Sequence, residues 1–161
     1  MTLYLDLDGV FADFNKKVFE LTGEYSSQLT AKSLWKQLSQ VEHFFATLHP
    51  LPGSLDYFRE LQDRALIPIE ILTGLPLPVG NFRTGEMDKR TWVKLYLDEN
   101  IKVNCTNRRG DKVKYIKSPN DILVDDTEFN IVTWKNAGGT GLLHETWDQT
   151  FGELVNLGVV K

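Results

Sequence analysis

The chain has 161 residues, 42% of them hydrophobic and 25% charged, the balance of one ordinary globular domain rather than of a disordered or fibrous chain. A formal net charge of −4 excludes the basic surface that broad nucleic-acid binding needs, and a single cysteine, Cys105, excludes a disulfide framework and a cysteine-built zinc site. No apolar run approaches the ~20 residues of a membrane span, and "MTLYLDLDGV" lacks a basic segment followed by an apolar stretch and a cleavage site, so a cytoplasmic protein is expected.

In chain order, "LYLDL" reads as a strand that runs out at Asp6 and Asp8. From Phe11 to Pro52 no strand follows. Phe11, Phe14, Val18 and Leu21 share a helical stripe, "TGEYSSQLTAKS" is polar, and "LWKQLSQVEHFFATL" is helical again. This interval predicts a small helical insertion of approximately 12–51 in a core of 1–11 and 52–161, closed by the turn residues of "HPLPGS". "GSLDYFRELQDRA" predicts a helix buried through Leu55, Phe58, Leu61 and Leu66, and "IPIEILTG" a strand. "EMDKRTWVKLYLDEN" predicts a helix with Met87, Trp92, Leu95 and Tyr96 on its apolar face, and "IKVNCT" a strand that buries Cys105. Six basic residues from Lys102 to Lys117 face one acid, Asp111, as either a solvated surface or a phosphate-facing loop. "DILVDD" is a strand. "TEFNIVTWKNAGG" is a helix with Phe129 and Val132 in phase and a Gly-Gly stop, and "TGLLHE" is a last strand. Strands alternating with helices predict an α/β fold built on a mostly parallel sheet covered on both sides.

In such a sheet the ligand crevice lies beyond the C-terminal strand ends. Asp6 and Asp8 follow the first strand, Thr73 the second, Asn107 or the basic run the third, and Asp125-Asp126 the fourth. Carboxylates brought together there repel one another, and a hard divalent cation, Mg²⁺ above others, answers that repulsion. An EF-hand register from Asp6 fails, because Val10 and Phe11 occupy the positions of a ligand and of the glycine. The metal-binding DxD of a nucleotide-sugar transferase calls for a longer chain. Helix capping needs one acid and explains neither the pair nor Asp125-Asp126.

"DLDGV" after a strand, Thr73 at the end of another, a lysine between 112 and 117, and "ILVDD" together resemble the signature motifs of the haloacid dehalogenase-like phosphohydrolases. Within that superfamily the chain is similar to the 5′(3′)-deoxyribonucleotidases and their phage and bacterial relatives. "DLDGVFADF", "FFATLHPLPGS", "ILTG", "KRTWVKLYL", "GDK" and "ILVDD" stand in that family's order. The resemblance implies a three-layer Rossmannoid sheet with a small helical cap after the first strand. It further implies Asp6 as nucleophile, Asp8 as general acid-base, Thr73 and the Gly74 amide as phosphate donors, and Mg²⁺ on Asp6, the Asp8 carbonyl and the Asp125-Asp126 pair. Asp126 is favoured as the direct ligand, with Asp125 behind it. Lys112 fits the lysine motif, and Lys114 and Lys117 compete for it. Phe14 and Trp35 are read two ways, as a stacking surface for base and sugar or as the cap's own core; Phe44 and Phe45 are read as core.

The expected activity is Mg²⁺-dependent removal of phosphate from nucleoside monophosphates, deoxyribonucleotides preferred. The alternatives are a 3′-phosphatase on nucleic-acid ends or another small phosphomonoester, and a turnover-deficient nucleotide-binding protein. The expected partner is a small nucleotide, without membrane or stable nucleic-acid association. "GGTG" at 138–141 lacks a P-loop's Gly-Lys-Ser/Thr, the three histidines lack zinc-ligand spacing, and "HETWD" ends in Asp148 where a metalloprotease has histidine. No Ser-His-Asp mechanism has a base to rest on.

Overall fold

The computed structural model describes all 161 residues. All five expected strands form: β1 (Leu3–Leu5), β2 (Ile69–Gly74), β3 (Val103–Thr106), β4 (Ile122–Asp125) and β5 (Thr140–Leu143). They make one parallel sheet in the order β3-β2-β1-β4-β5, with Leu3 opposite both Ile69 and Ile122. Between β1 and β2 come α1 (Phe14–Thr22), α2 (Ala31–Leu38), a 3₁₀ turn at Phe44–Thr47 and α3 (Ser54–Arg64). The chain then adds α4 (Gly85–Tyr96), α5 (Glu128–Asn136) and α6 (Trp147–Asn156). No helix is long and apolar enough to cross a membrane.

Side chains of β1 alternate between two cores of unequal size. Leu3 and Leu5 pack with Phe58 and Leu61 of α3, Trp92 of α4, and Phe151 and Leu154 of α6. Tyr4 faces the other way, where Leu72, Leu123, Ile131 and Trp134 form a thin layer under α5. Right-handed crossovers explain the division. The chain moves outward through β2 and β3 with helices on one face, then returns to β4 and moves the other way with α5 on the opposite face.

Two helices present different faces from those expected. On α4, Met87 and Leu95 are exposed, whereas Gly85, Asp88, Lys89, Trp92 and Val93 are buried. On α5, Phe129 and Val132 are exposed, and Ile131 and Trp134 carry the packing. The Trp134 indole reaches across to donate to the Asp121 carbonyl at 3.3 Å, and a Cβ on Gly139 would lie 2.2 Å from its Nε1. The Gly-Gly stop therefore also makes room for the largest residue of the thin core. Leu66 and Leu21 are exposed, one beyond the end of α3 and the other near the end of α1. Cys105 is only partly buried.

His144 is buried after β5, its Nδ1 2.8 Å from the Thr150 hydroxyl, and burial lowers its pKa to about 4 from 6.5. The unfolded chain therefore binds this proton first on acidification. Stability from His144 is complete above pH 6.5 and is lost as pH falls through 4, an expected loss of about 3 kcal/mol. His144→Gln is expected to flatten that limb of the pH–stability curve in urea titrations. An unchanged slope between pH 6.5 and 4 rejects the assignment.

Candidate active site

Strand order reverses between β1 and β4, and the crevice opens beyond that seam. The backbone leaving β1 stays laddered through Asp6, whose N–H donates to the Val124 carbonyl at 2.9 Å. Leu7 turns inward to the core, so that its two acidic neighbours both line the cleft. Residues 7–12 then fold into a tight turn, with the Leu7 carbonyl accepting from Phe11 and Ala12. Gly9 sits in the turn at φ +78°, and a Cβ there would lie 2.0 Å from Asp126 Oδ2. No other residue type fits both the dihedral and the approach. Capping of α1 falls to Asp13, which accepts from the Lys16 N–H at 3.0 Å, and so leaves Asp6 and Asp8 free of that duty.

The cleft encloses about 540 Å³ and brings Asp6, Asp8, Thr73, Gly74, Lys112 and Asp126 into one lining. Lys112, on a 3₁₀ turn at Asp111–Tyr115, is buried with its ammonium 2.5 Å from Asp125 Oδ2 and 2.9 Å from Asp6 Oδ1. Burial pulls its pKa down, but Asp6 and Asp125 more than offset this and hold it above the ordinary lysine value. Lys114 pairs with Asp111 instead and Lys117 lies off the cleft. Geometry thus separates the three competing lysines.

Asp125 and Asp126 also divide. Asp125 is fully buried, its oxygens taken by Lys112, the Thr127 N–H and the Asn130 amide, and burial together with Asp6 raises its pKa. Asp126 accepts only a 3.3 Å bond from the Thr127 hydroxyl. Desolvation of its carboxyl, then repulsion by Asp6 and Asp125, raises it to about 7. Carboxylate oxygens of Asp6, Asp125 and Asp126 lie within 4.8 Å of one another.

A second lysine completes the site and was not expected from the sequence. Lys89 of α4 is 2% exposed and donates to Asp8 Oδ2 at 2.5 Å and to the Thr73 hydroxyl at 3.0 Å, with the Phe45 ring covering it at 4.7 Å. Its sequence signal is its phase, since Gly85, Trp92 and Val93 at i−4, i+3 and i+4 place it on the buried stripe. The next acid back, Asp88, is buried as well and bonds His43 of the insertion at 2.8 Å, which raises that imidazole's pKa. Burial pushes the Asp8 carboxyl up, Lys89 opposes the rise, and Asp6 adds to it. After these pairings Asp8 Oδ1 is buried without a hydrogen bond, whereas Asp6 Oδ1 faces the Lys112 ammonium at 2.9 Å.

Phe14 and Trp35 meet at 5.9 Å and both line the cleft. Phe14 also packs on Phe44, and Trp35 on Phe82 from the turn before α4, so each ring joins an aromatic cluster shared between insertion and core while also lining the cleft. Phe44 and Phe45 are buried in that cluster, as expected.

No protein-family model matches the sequence, and no curated protein matches it. Solved structures do match. A HAD family enzyme from Bacteroides thetaiotaomicron, in complex with magnesium and inorganic phosphate, superposes with a TM-score of 0.54 at 14% identity, over 93% of this chain and 98% of that one. The fold is that of the haloacid dehalogenase-like hydrolases. A hydrolase from Pseudomonas syringae gives 0.54 at 14% identity over 98% of this chain and 90% of its own. A hydrolase from Streptococcus pneumoniae TIGR4 gives 0.53 at 12% identity over 96% and 97%.

Proposed function

We propose that the chain is a Mg²⁺-dependent phosphomonoesterase that works through an aspartyl-phosphate on Asp6 and acts on nucleoside monophosphates, with deoxyribonucleotides preferred. One observation carries this reading: two carboxylates two residues apart face one cleft, each with its own buried lysine, and Asp8 keeps one buried oxygen without a hydrogen bond. A carboxylate oxygen of Asp6 attacks phosphorus and the bond to the leaving oxygen breaks. Asp8 gives that oxygen its proton through Oδ1, the atom that Lys89 leaves open, and the upward pKa shift from burial keeps such a proton available. In the second half, Asp8 takes a proton from water, the water oxygen attacks phosphorus, and the bond to Asp6 breaks. Thr73 accepts from Lys89, so its own hydroxyl proton is free for a phosphoryl oxygen. Lys112 offsets the charge of Asp6 and Asp125 throughout.

The residues fit a divalent cation. Asp6, Asp8, Asp125 and Asp126 place four carboxylates against two ammonium groups, and Asp126 is the one of the four that neither ammonium pairs. Asp6 and Asp126 would hold Mg²⁺, with Asp125 fixing Lys112 and Asn130 behind them, and the ion would screen the approach of one anion to another. The magnesium-bound Bacteroides enzyme of the same fold supports a Mg²⁺ requirement.

Charge alone gives a test that needs no turnover. A carboxylate raised to about 7 costs the metal-free protein stability as pH rises through that value, so Asp126→Asn is expected to melt higher than wild type at pH 7.5. Mg²⁺ is expected to raise the melting temperature of wild type and to leave that of Asp126→Asn in place. Equal Mg²⁺ shifts in both proteins reject Asp126 as a ligand.

The Phe14–Trp35 edge supports a planar base, since a stacked base contributes roughly 1–3 kcal/mol. Phosphate release from a panel of deoxy- and ribonucleoside 5′- and 3′-monophosphates, with Mg²⁺ and with EDTA, tests the whole reading. Absence of Mg²⁺-dependent release from every member overturns it.

A further inference from the structure

The fold sorts the six basic residues between Lys102 and Lys117. Lys102 pairs with Glu70 at 3.1 Å, Lys114 with Asp111 at 2.8 Å, and Lys112 is committed to Asp6 and Asp125. Lys117 makes no ion pair but lies off the cleft. Arg108 and Arg109 differ from all four. Both line the cleft, both are solvent-exposed, and neither side chain has a hydrogen bond or an ion pair.

Their loop is nevertheless held in place. At one end the Thr106 carbonyl accepts from the Leu75 N–H at 2.8 Å, and at the other Lys112 is anchored beneath the cleft. A turn between them closes with Asp111 N–H donating to the Arg108 carbonyl at 3.1 Å, and Gly110 supplies the positive φ of +87°. The Arg109 guanidinium lies 3.9 Å from the centre of the Phe129 ring. That contact accounts for an aromatic residue left exposed at the start of α5, and it holds a flexible side chain at the cleft's edge.

Charge shows what the pair is free to bind. Lys89 and Lys112, the other cleft cations, are buried against Asp8 and against Asp6 with Asp125, so the reacting phosphate already has its neutralising groups at the floor. Arg108 and Arg109 are the cleft cations without an anionic partner, and they stand at the exposed rim rather than at the floor. Two adjacent guanidinium forks match the oxygens of a phosphate group better than a hydroxyl or a base edge. The rings of Phe14 and Trp35 line the same cleft.

We propose that Arg108 and Arg109 form a second anion subsite, and that the preferred substrate carries a second phosphate besides the one removed. A nucleoside bisphosphate is the class that joins such a group to a base. The inference rests on the phosphomonoesterase reading and replaces the nucleoside monophosphate proposed above with a nucleotide that carries a second phosphate.

The test compares kcat/KM for deoxyadenosine 3′,5′-bisphosphate, deoxyadenosine 5′- and 3′-monophosphates and p-nitrophenyl phosphate, in wild type and in the double variant Arg108→Gln, Arg109→Gln. Wild type is expected to favour the bisphosphate over either monophosphate at least tenfold. The double variant is expected to lose that preference, falling at least tenfold more on the bisphosphate than on p-nitrophenyl phosphate. A short oligonucleotide with a terminal phosphate distinguishes the source of the second group: preference for it over the bisphosphate keeps the subsite and assigns it a backbone phosphodiester. Equal kcat/KM for bisphosphate and monophosphates in wild type, or one common loss on all substrates in the variant, overturns the subsite. Failure of the phosphatase reading is visible separately, as no release from p-nitrophenyl phosphate. Calorimetric titration of the bisphosphate then decides the subsite alone, with at least tenfold weaker binding expected in the double variant and equal Kd values overturning it.

Discussion

Asp6→Asn is expected to reduce Mg²⁺-dependent phosphate release by at least about 10⁴-fold while the protein stays folded. The magnitude follows from the kind of group removed, since loss of a covalent nucleophile leaves only binding and electrostatic contributions. Shape is retained, because Asn fills the volume of Asp and the backbone N–H of residue 6 still meets Val124. One electrostatic consequence separates a catalytic role from a structural one. Asp6 repels Asp125 and Asp126, so its neutralisation relieves both, and the metal-free variant is expected to match or exceed wild type in thermal stability. Release assays with 5′- and 3′-monophosphates, read beside melting curves, check both parts. Turnover within tenfold of wild type would remove Asp6 from the chemistry, and the aspartyl-phosphate with it.

Lys89→Met is expected to lower turnover by about 10²- to 10⁴-fold and to destabilise the fold by about 3 kcal/mol. Methionine fills the stem of the side chain under Phe45 but leaves Asp8 Oδ2 without its partner. Lys89 is the main influence holding the Asp8 carboxyl down against burial, so its loss drives that carboxyl further toward the protonated form. In the proposed mechanism protonated Asp8 still serves the first half of the reaction and fails in the second, where it must accept a proton from water. The expected signature is a burst of leaving alcohol followed by slow release of phosphate, with the pH optimum displaced upward. A purely structural lysine predicts lower stability with neither change. Retention of the wild-type pH optimum and of more than a third of the turnover would assign Lys89 to packing alone.

Strand positions were legible because each strand is a short apolar run bounded by polar or turn residues, and a buried parallel sheet demands that pattern. The same property made the positions of Asp6, Asp8, Thr73 and Asp125-Asp126 readable, since each follows or closes such a run. Helix phase was less legible where polarity and burial part company. On α5 the apolar residues are spread around the helix, and only the thinness of the core on that face decides that Ile131 and Trp134 pack while Phe129 supports Arg109. On α4 the buried stripe contains Asp88 and Lys89, which a search for apolar periodicity passes over. Their partners, His43 and Asp8, lie far away in sequence, so the pairing that makes their burial tolerable is a tertiary fact. Lys112 was separable from Lys114 and Lys117 only by a 3₁₀ turn whose direction no local spacing fixes.

The seam between β1 and β4 also governs when the site comes into being. Asp6 directly follows the first strand and Asp125-Asp126 close the fourth, so a nascent chain cannot assemble the acidic cluster until the fourth strand has emerged. Closing that seam draws like charges together as β4 docks on β1, and Lys112 arrives on the connection that leads into β4 to meet them. Refolding is therefore expected to be slowest at its last docking step in EDTA and faster in Mg²⁺, with the ion acting as an assembly factor for the sheet before it takes part in any chemistry.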